Sequence, residues 1–191
     1  MNKSKSLFLL LIALILNACG TYGPGKVTQP TLVEEGSIEN EIIINSDYKT
    51  VWSNLIEYSA STFFAIDNFE KDSGLITLDF GSQSPGEFVD CGTVEKSSGQ
   101  VSIVEVFDNE GNPKLTGSMN IIVKEITPNQ TKVKVKARYV FSYQNRVDNE
   151  VWVFDTGGYD TQKFGVWTVT CQPTHKAEQA IIEGISQYSG S

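Results

Sequence analysis

Few side chains in this 191-residue chain have the type and spacing that catalysis or metal binding needs. The thiols of Cys91 and Cys171 are candidates, and His175, the only histidine, follows Cys171 by four residues. A catalytic thiol needs a basic neighbour that lowers its pKa, and one isolated histidine makes a weak case for such a pair. His175 also lacks a second histidine or a cysteine at zinc spacing, so it reads as a surface residue in the first turn of a helix. Asp148, Glu150, Asp155 and Asp160 offer oxygen ligands for calcium, but their order does not match the alternating ligands of a calcium loop. An acidic, solvated loop is the simpler reading. Asp155-Thr156-Gly157 follows the apolar run Val151-Trp152-Val153-Phe154. Proton-sharing carboxylate chemistry needs two aspartates; with one such triplet, Asp and Gly end a strand and make a turn. No nucleophile, base and metal set converges, so the sequence predicts a protein without enzymatic activity or cofactor.

Binding is better represented. Lys132, Lys134, Lys136 and Arg138 occupy alternate positions, which on a strand puts them on one face roughly 6.6 Å apart. That row suits a line of phosphates or carboxylates, as on lipopolysaccharide, peptidoglycan or an acidic partner protein. A solvated face paired with acids on neighbouring strands is the simpler reading of the same row.

At the N-terminus Lys3 and Lys5 precede an apolar run over residues 7–16, which ends in Leu16-Asn17-Ala18-Cys19. The order basic, apolar, small is that of a secretory signal. A small residue immediately before a cysteine resembles the lipobox of bacterial outer-membrane lipoproteins, although Asn17 departs from the small or branched residue usual at its place. The resemblance implies cleavage before Cys19, a diacylglyceryl thioether on its sulfur and acylation of its new amine. Gly20 stands where an inner-membrane retention signal would place aspartate, so the implied location is the outer membrane, lipid-anchored and facing the periplasm. The apolar run is too short to cross ~30 Å of hydrocarbon, which takes about 20 residues. In an oxidising periplasm Cys91 and Cys171 read as a disulfide. Closing a loop of about 80 residues stabilises by roughly 4 kcal/mol through lost freedom of the unfolded chain.

Charge and length narrow the function further. The full chain carries −8, and removing a signal that contains Lys3 and Lys5 leaves −10. Such a balance argues against nucleic acid, whose phosphates demand clustered Lys and Arg. It leaves membrane attachment to the N-terminal lipid, and multiple acyl chains suit stable anchoring. The 173 residues left after residues 1–18 suffice for one sizeable core. The expected organisation is a signal over 1–18, a lipidated flexible tether over 19–37 rich in Gly, Pro and acid, and a single α+β domain over 38–191.

The elements that would carry these side chains follow from periodicity. A strand is expected over 41–44, then a helix capped by Ser46 or Asp47 with Val51, Trp52, Leu55, Ile56, Ser59 and Phe63 on one face. Strands are expected over 64–69, 75–80, 88–94 and 101–107. Leu115 to Val123 and Val133 to Tyr143 alternate apolar and polar around Thr127-Pro128-Asn129-Gln130, which predicts a long antiparallel hairpin. Further strands are expected over 151–154 and 164–171, and a second amphipathic helix starting near Pro173. This is an α+β pattern: a curved antiparallel β-sheet gripping an N-terminal amphipathic helix, with a C-terminal helix.

Asp47-x-x-x-Val51-Trp52, Phe64-Ala65-Ile66-Asp67, Ser73-Gly74-x-Ile76 and the C-terminal helix resemble helix-grip domains, among lipidated proteins those of BamC type. The resemblance covers roughly residues 38–188 and carries over no functional residue. Trp52, Phe63, Met119, Tyr139, Phe141 and Trp167 would line an apolar pocket between sheet and helix, or fill an ordinary core. The function expected is a non-enzymatic interaction module in cell-envelope assembly or maintenance, with an envelope protein partner. The alternative is a periplasmic binder of a lipid or other small apolar ligand.

Overall fold

The computed structural model describes residues 25–189. Cys19 and its lipobox lie outside the described residues. In chain order the elements are β1 (Val27–Thr28), β2 (Glu41–Ile44), α1 (Tyr48–Ser61), β3 (Ala65–Glu70), β4 (Leu75–Ser82), β5 (Val89–Asp90), β6 (Thr93–Lys96) and β7 (Gly99–Ser102). There follow α2 (Ile103–Glu110), β8 (Lys114–Thr127), β9 (Gln130–Gln144), β10 (Asn149–Asp155), β11 (Asp160–Phe164), β12 (Trp167–Pro173) and α3 (Lys176–Ser189). The class is α+β, with antiparallel pairing throughout the sheets and a C-terminal helix.

Alternation builds the largest sheet. On β9 the side chains of Val133, Val135, Ala137, Tyr139, Phe141 and Tyr143 are all buried, while the intervening lysines and Arg138 face outward. Strict period two puts every second residue on one face, so β9 pairs with β8 from Lys114↔Ser142 to Thr127↔Gln130 as the sequence predicts. The sheet runs β10-β9-β8-β4-β3, with β2 also paired to β9. Helices α1 and α3 cover its buried face. Asp47 caps α1 by accepting from the Thr50 N–H at 3.1 Å, and Val51, Trp52 and Leu55 turn inward. The helices approach closely at Gly184, where a Cβ would come within 2.0 Å of the Tyr58 ring. Two small sheets, β1-β6-β7 and β11-β12-β5, complete the fold. Their buried residues join the same core as the large sheet.

Several boundaries differ from expectation, each for a local reason. Residues 101–107 were expected to be extended, yet Ile103–Glu110 is helical. Ile103, Val106 and Phe107 recur at i, i+3 and i+4 and are all buried, so packing overrides the β-propensity of the Ile/Val run. The strand expected over 88–94 is two short ones separated at Gly92, whose φ of +78° a side chain would resist. The one expected over 164–171 is likewise divided, β11 from β12, at Gly165, with φ +56°. Pro173 ends β12 instead of opening the helix.

The expected tether is attached over much of its length. Val27↔Val94 and Thr28↔Thr93 pair, and the Gln29 amide donates to Thr168 O at 2.7 Å and accepts from the Thr170 N–H at 2.9 Å. Farther on, Gln172 donates to Thr31 O at 2.7 Å and accepts from the Val33 N–H at 3.2 Å. Polar residues with no apolar period can thus still dock, by mimicking a strand with side-chain amides.

Candidate functional site

Strands β2 and β10 share one edge of β9 without meeting. β2 covers Thr131–Lys134 and β10 covers Arg138–Gln144, which leaves the backbone of Val135 and Ala137 to find other partners. Asn40 serves the first: its carbonyl accepts from the Val135 N–H and its side chain donates to Val135 O, both at 2.8 Å. Thr156 serves the second. Its hydroxyl accepts from the Ala137 N–H at 2.7 Å, and its own N–H donates to Ala137 O at 2.8 Å. One threonine thereby replaces a strand residue, and every backbone group is satisfied.

On the outward side of this gap lies a cleft of about 290 Å³ lined by Ser118, Asn120, Lys136, Arg138, Asp155 and Thr156. Arg138 leans on Asp155 at 3.5 Å, while no ion pair involves Lys136 among the described residues. The other two members of the row behave differently. Lys132 and Lys134 both reach Glu41, at 2.8 and 3.2 Å, and their hydrogen bonds, Lys132 first, hold that exposed carboxyl below the usual glutamate range. The four residues share a face, but only Lys136 and Arg138 line the cleft.

Behind Thr156, on the inward side, is a buried carboxylate. Glu178, in the first turn of α3, has no exposed surface. Its Oε1 accepts from the Thr156 hydroxyl at 2.6 Å, and its Oε2 accepts from the hydroxyl of the buried Tyr139. His175 Nδ1 stands 3.7 Å from Oε1, too far for a hydrogen bond, and is otherwise unpartnered. Burial pushes the Glu178 carboxyl up, but His175, Thr156 and Tyr139 together more than offset this and hold it below its ordinary value. Burial, and then the facing carboxylate, push the Tyr139 phenol upward. His175, expected at the surface, is instead buried just ahead of α3, with a left-handed φ of +62°.

The remaining candidates are dispersed. Asp155-Thr156-Gly157 ends β10 in a turn closed by a Gly158 N–H to Asp155 O bond of 2.8 Å, with Gly157 at φ +79°. Asp160 accepts from the Val153 and Thr161 N–H groups, and Asp148 from Asn145, so these acids serve loops at opposite ends of β10. Among the described residues no group of three His, Cys, Asp or Glu side chains is placed to hold a metal. Cys91 and Cys171 lie at disulfide distance and join β12 to the segment between β5 and β6. Trp52, Met119, Tyr139 and Phe141 are core residues, whereas Phe63 is 56% exposed and Trp167 sits on the β12 sheet, so the six do not line one pocket.

Sequence reasoning missed Glu178, Tyr139 and Thr156 as a group. The available signal was an acid on the apolar stripe of α3, since Glu178, Ile181 and Ile185 fall at i, i+3 and i+7. No protein-family model, no curated protein and no solved structure matches the chain.

Proposed function

We propose that the chain is a lipid-anchored outer-membrane lipoprotein, without enzymatic activity, whose periplasm-facing domain docks an anionic envelope partner on the outward face of its large sheet. The lipid anchor is Cys19. The observation that carries the docking reading is the cleft in the β9 edge, where among the described residues Lys136 has no acidic partner and Arg138 has only an exposed one. Among the described residues no helix packs on this face, and Ile43, opposite Lys132, and Ile122, opposite Lys134, add exposed apolar surface, a mixture common in non-obligate interfaces. The alternative, a binder of an apolar ligand between sheet and helix, is less well supported. Four of its six expected lining residues, Trp52, Met119, Tyr139 and Phe141, are packed into the core.

The finer fold reading, a helix-grip-like arrangement, draws support from α1 laying Val51, Trp52 and Leu55 on the same face that α3 covers.

In-cell photo-crosslinking from position 120, which lines the same cleft, followed by mass spectrometry, tests the docking reading. The expected result is an adduct with an envelope component that disappears when Lys132, Lys134, Lys136 and Arg138 are changed to glutamine. No adduct at 120, or one indifferent to those changes, overturns it. Intact mass of the mature chain tests the anchor separately, and a chain without acyl mass refutes it.

A further inference from the structure

We propose that one end of the domain, carrying the β6–β7 turn, the β9–β10 loop and the β11–β12 turn, rests against a phospholipid surface through Val147 and Val166. The inference depends on the lipidation reading above. Val147 is 89% exposed and Val166 is 78% exposed, more than any other large hydrophobic side chain among the described residues. Each crowns a loop tip, where no packing or hydrogen bond calls for an apolar residue.

The fold gathers these tips at one end. Tyr143, near the end of β9, and Phe164, the end of β11, place their ring centroids 5.3 Å apart; Val147 and Val166 lie just beyond them in sequence. Lys96 binds Glu110 at 3.3 Å, and the Asn112 N–H donates to Gln144 O at 3.0 Å. These contacts tie the β6–β7 turn and the end of α2 to the base of the β9–β10 loop.

The chain also emerges here. Residues 29–33 run beside β12 in the same direction, since Gln29 spans Thr168 and Thr170 while Gln172 spans Thr31 and Val33. Traced backwards, they lead toward the Val166 turn. β1 runs antiparallel to β6, with Lys26 O accepting from the Glu95 N–H at 3.0 Å, so Gly25 arrives beside the β6–β7 turn.

Length then fixes what this end can face. Six residue steps separate Cys19 from Gly25, a reach of at most about 20 Å. If residues 25–33 were free, the reach would be more than twice as long. Docking that segment on β6 and β12 therefore turns an anchor into an orientation. Two valines bind a bilayer weakly by themselves, but an acyl anchor makes their contact effectively intramolecular. Exposed Arg146 and Lys163 beside the tips suit lipid phosphates.

The test places an environment-sensitive fluorophore on Val147→Cys, Val166→Cys or Ile122→Cys in the full acylated chain. Each is reconstituted in vesicles of phosphatidylethanolamine and phosphatidylglycerol that carry a nitroxide lipid. The expected result is a blue shift and loss of most emission at 147 and 166, with neither at 122 on the sheet face. Acylated chains that stay on the vesicles with water-exposed labels at 147 and 166 overturn this inference and leave the anchor standing. A chain without acyl mass removes both. A label at 122 that is quenched as strongly as the other two also overturns it, because the end would not be selected.

Discussion

Two attachments seven residues apart hold the last part of the chain, and they work by different physics. At Cys171 the hold is covalent, to Cys91, and it acts mainly by restricting the unfolded chain. At Glu178 it is polar, to Tyr139 and Thr156, and it exists only once the large sheet and α3 have come together. The first should be indifferent to pH and sensitive to reductant, the second the reverse. A terminal strand and helix that both close on distant residues are thus secured against separate kinds of stress.

The sharpest way to break this contrast is to remove the bridge. Replacing Cys91 and Cys171 with serine should cost about 4 kcal/mol in urea unfolding, since the loop spans 80 residues. That loss should be the same at neutral and mildly acidic pH. Glu178→Gln comes next, at about 2 to 3 kcal/mol, because two hydroxyl donors aimed at a carboxylate lose a charged acceptor. Its cost should depend on pH. The folded carboxyl lies below its unfolded value, so its contribution is complete above the ordinary 4.5 and fades as pH falls through the folded value. Tyr139 has the opposite sign: its raised phenol contributes below 10.0 and loses that contribution as pH climbs through the folded value. Melting curves across pH should show the wild type and Glu178→Gln converging in acid. If the gap stays constant, Glu178 is not the acid-sensitive hold.

Smaller effects sharpen the contrast. Gln172→Ala removes the two bonds to Thr31 and Val33 and should cost about 1 kcal/mol. Its main sign should be faster hydrogen exchange over residues 29–33, with the acid response unchanged. Glu41→Gln, which frees Lys132 and Lys134 from exposed ion pairs, should leave stability unaltered within error.

How much of this was legible depended on whether a residue's role was set by its neighbours in sequence. The β8–β9 hairpin was readable because both strands alternate over ten or more residues around a turn, and α1 because Asp47 sits ahead of Val51, Trp52 and Leu55. In α2, Ile103, Val104 and Val106 favour strand locally, and only burial with Phe107 settles them as helix. The disulfide was open to simple pairing of the two cysteines left after the lipobox. The Glu178 cluster was closed to it, since its hydroxyls come from positions 39 and 22 residues away on strand and turn. The docked run over 26–33 was hidden for a similar reason: its hold comes from Gln172, from β6 and from one amide of its own, Gln29 on β12, and the rest of its composition is that of a linker.

The shared edge of β9 also sets a timetable. As the chain is made from its N-terminus, β2 has no sheet to join until residues 131–134 appear, and Cys91 has no partner until residue 171. The first hundred residues can form α1 and the β3–β4 hairpin but cannot enclose a core. Closure waits for the final third, and a chain that stalls after β4 would present the strand edge meant for β8 to whatever lies nearby.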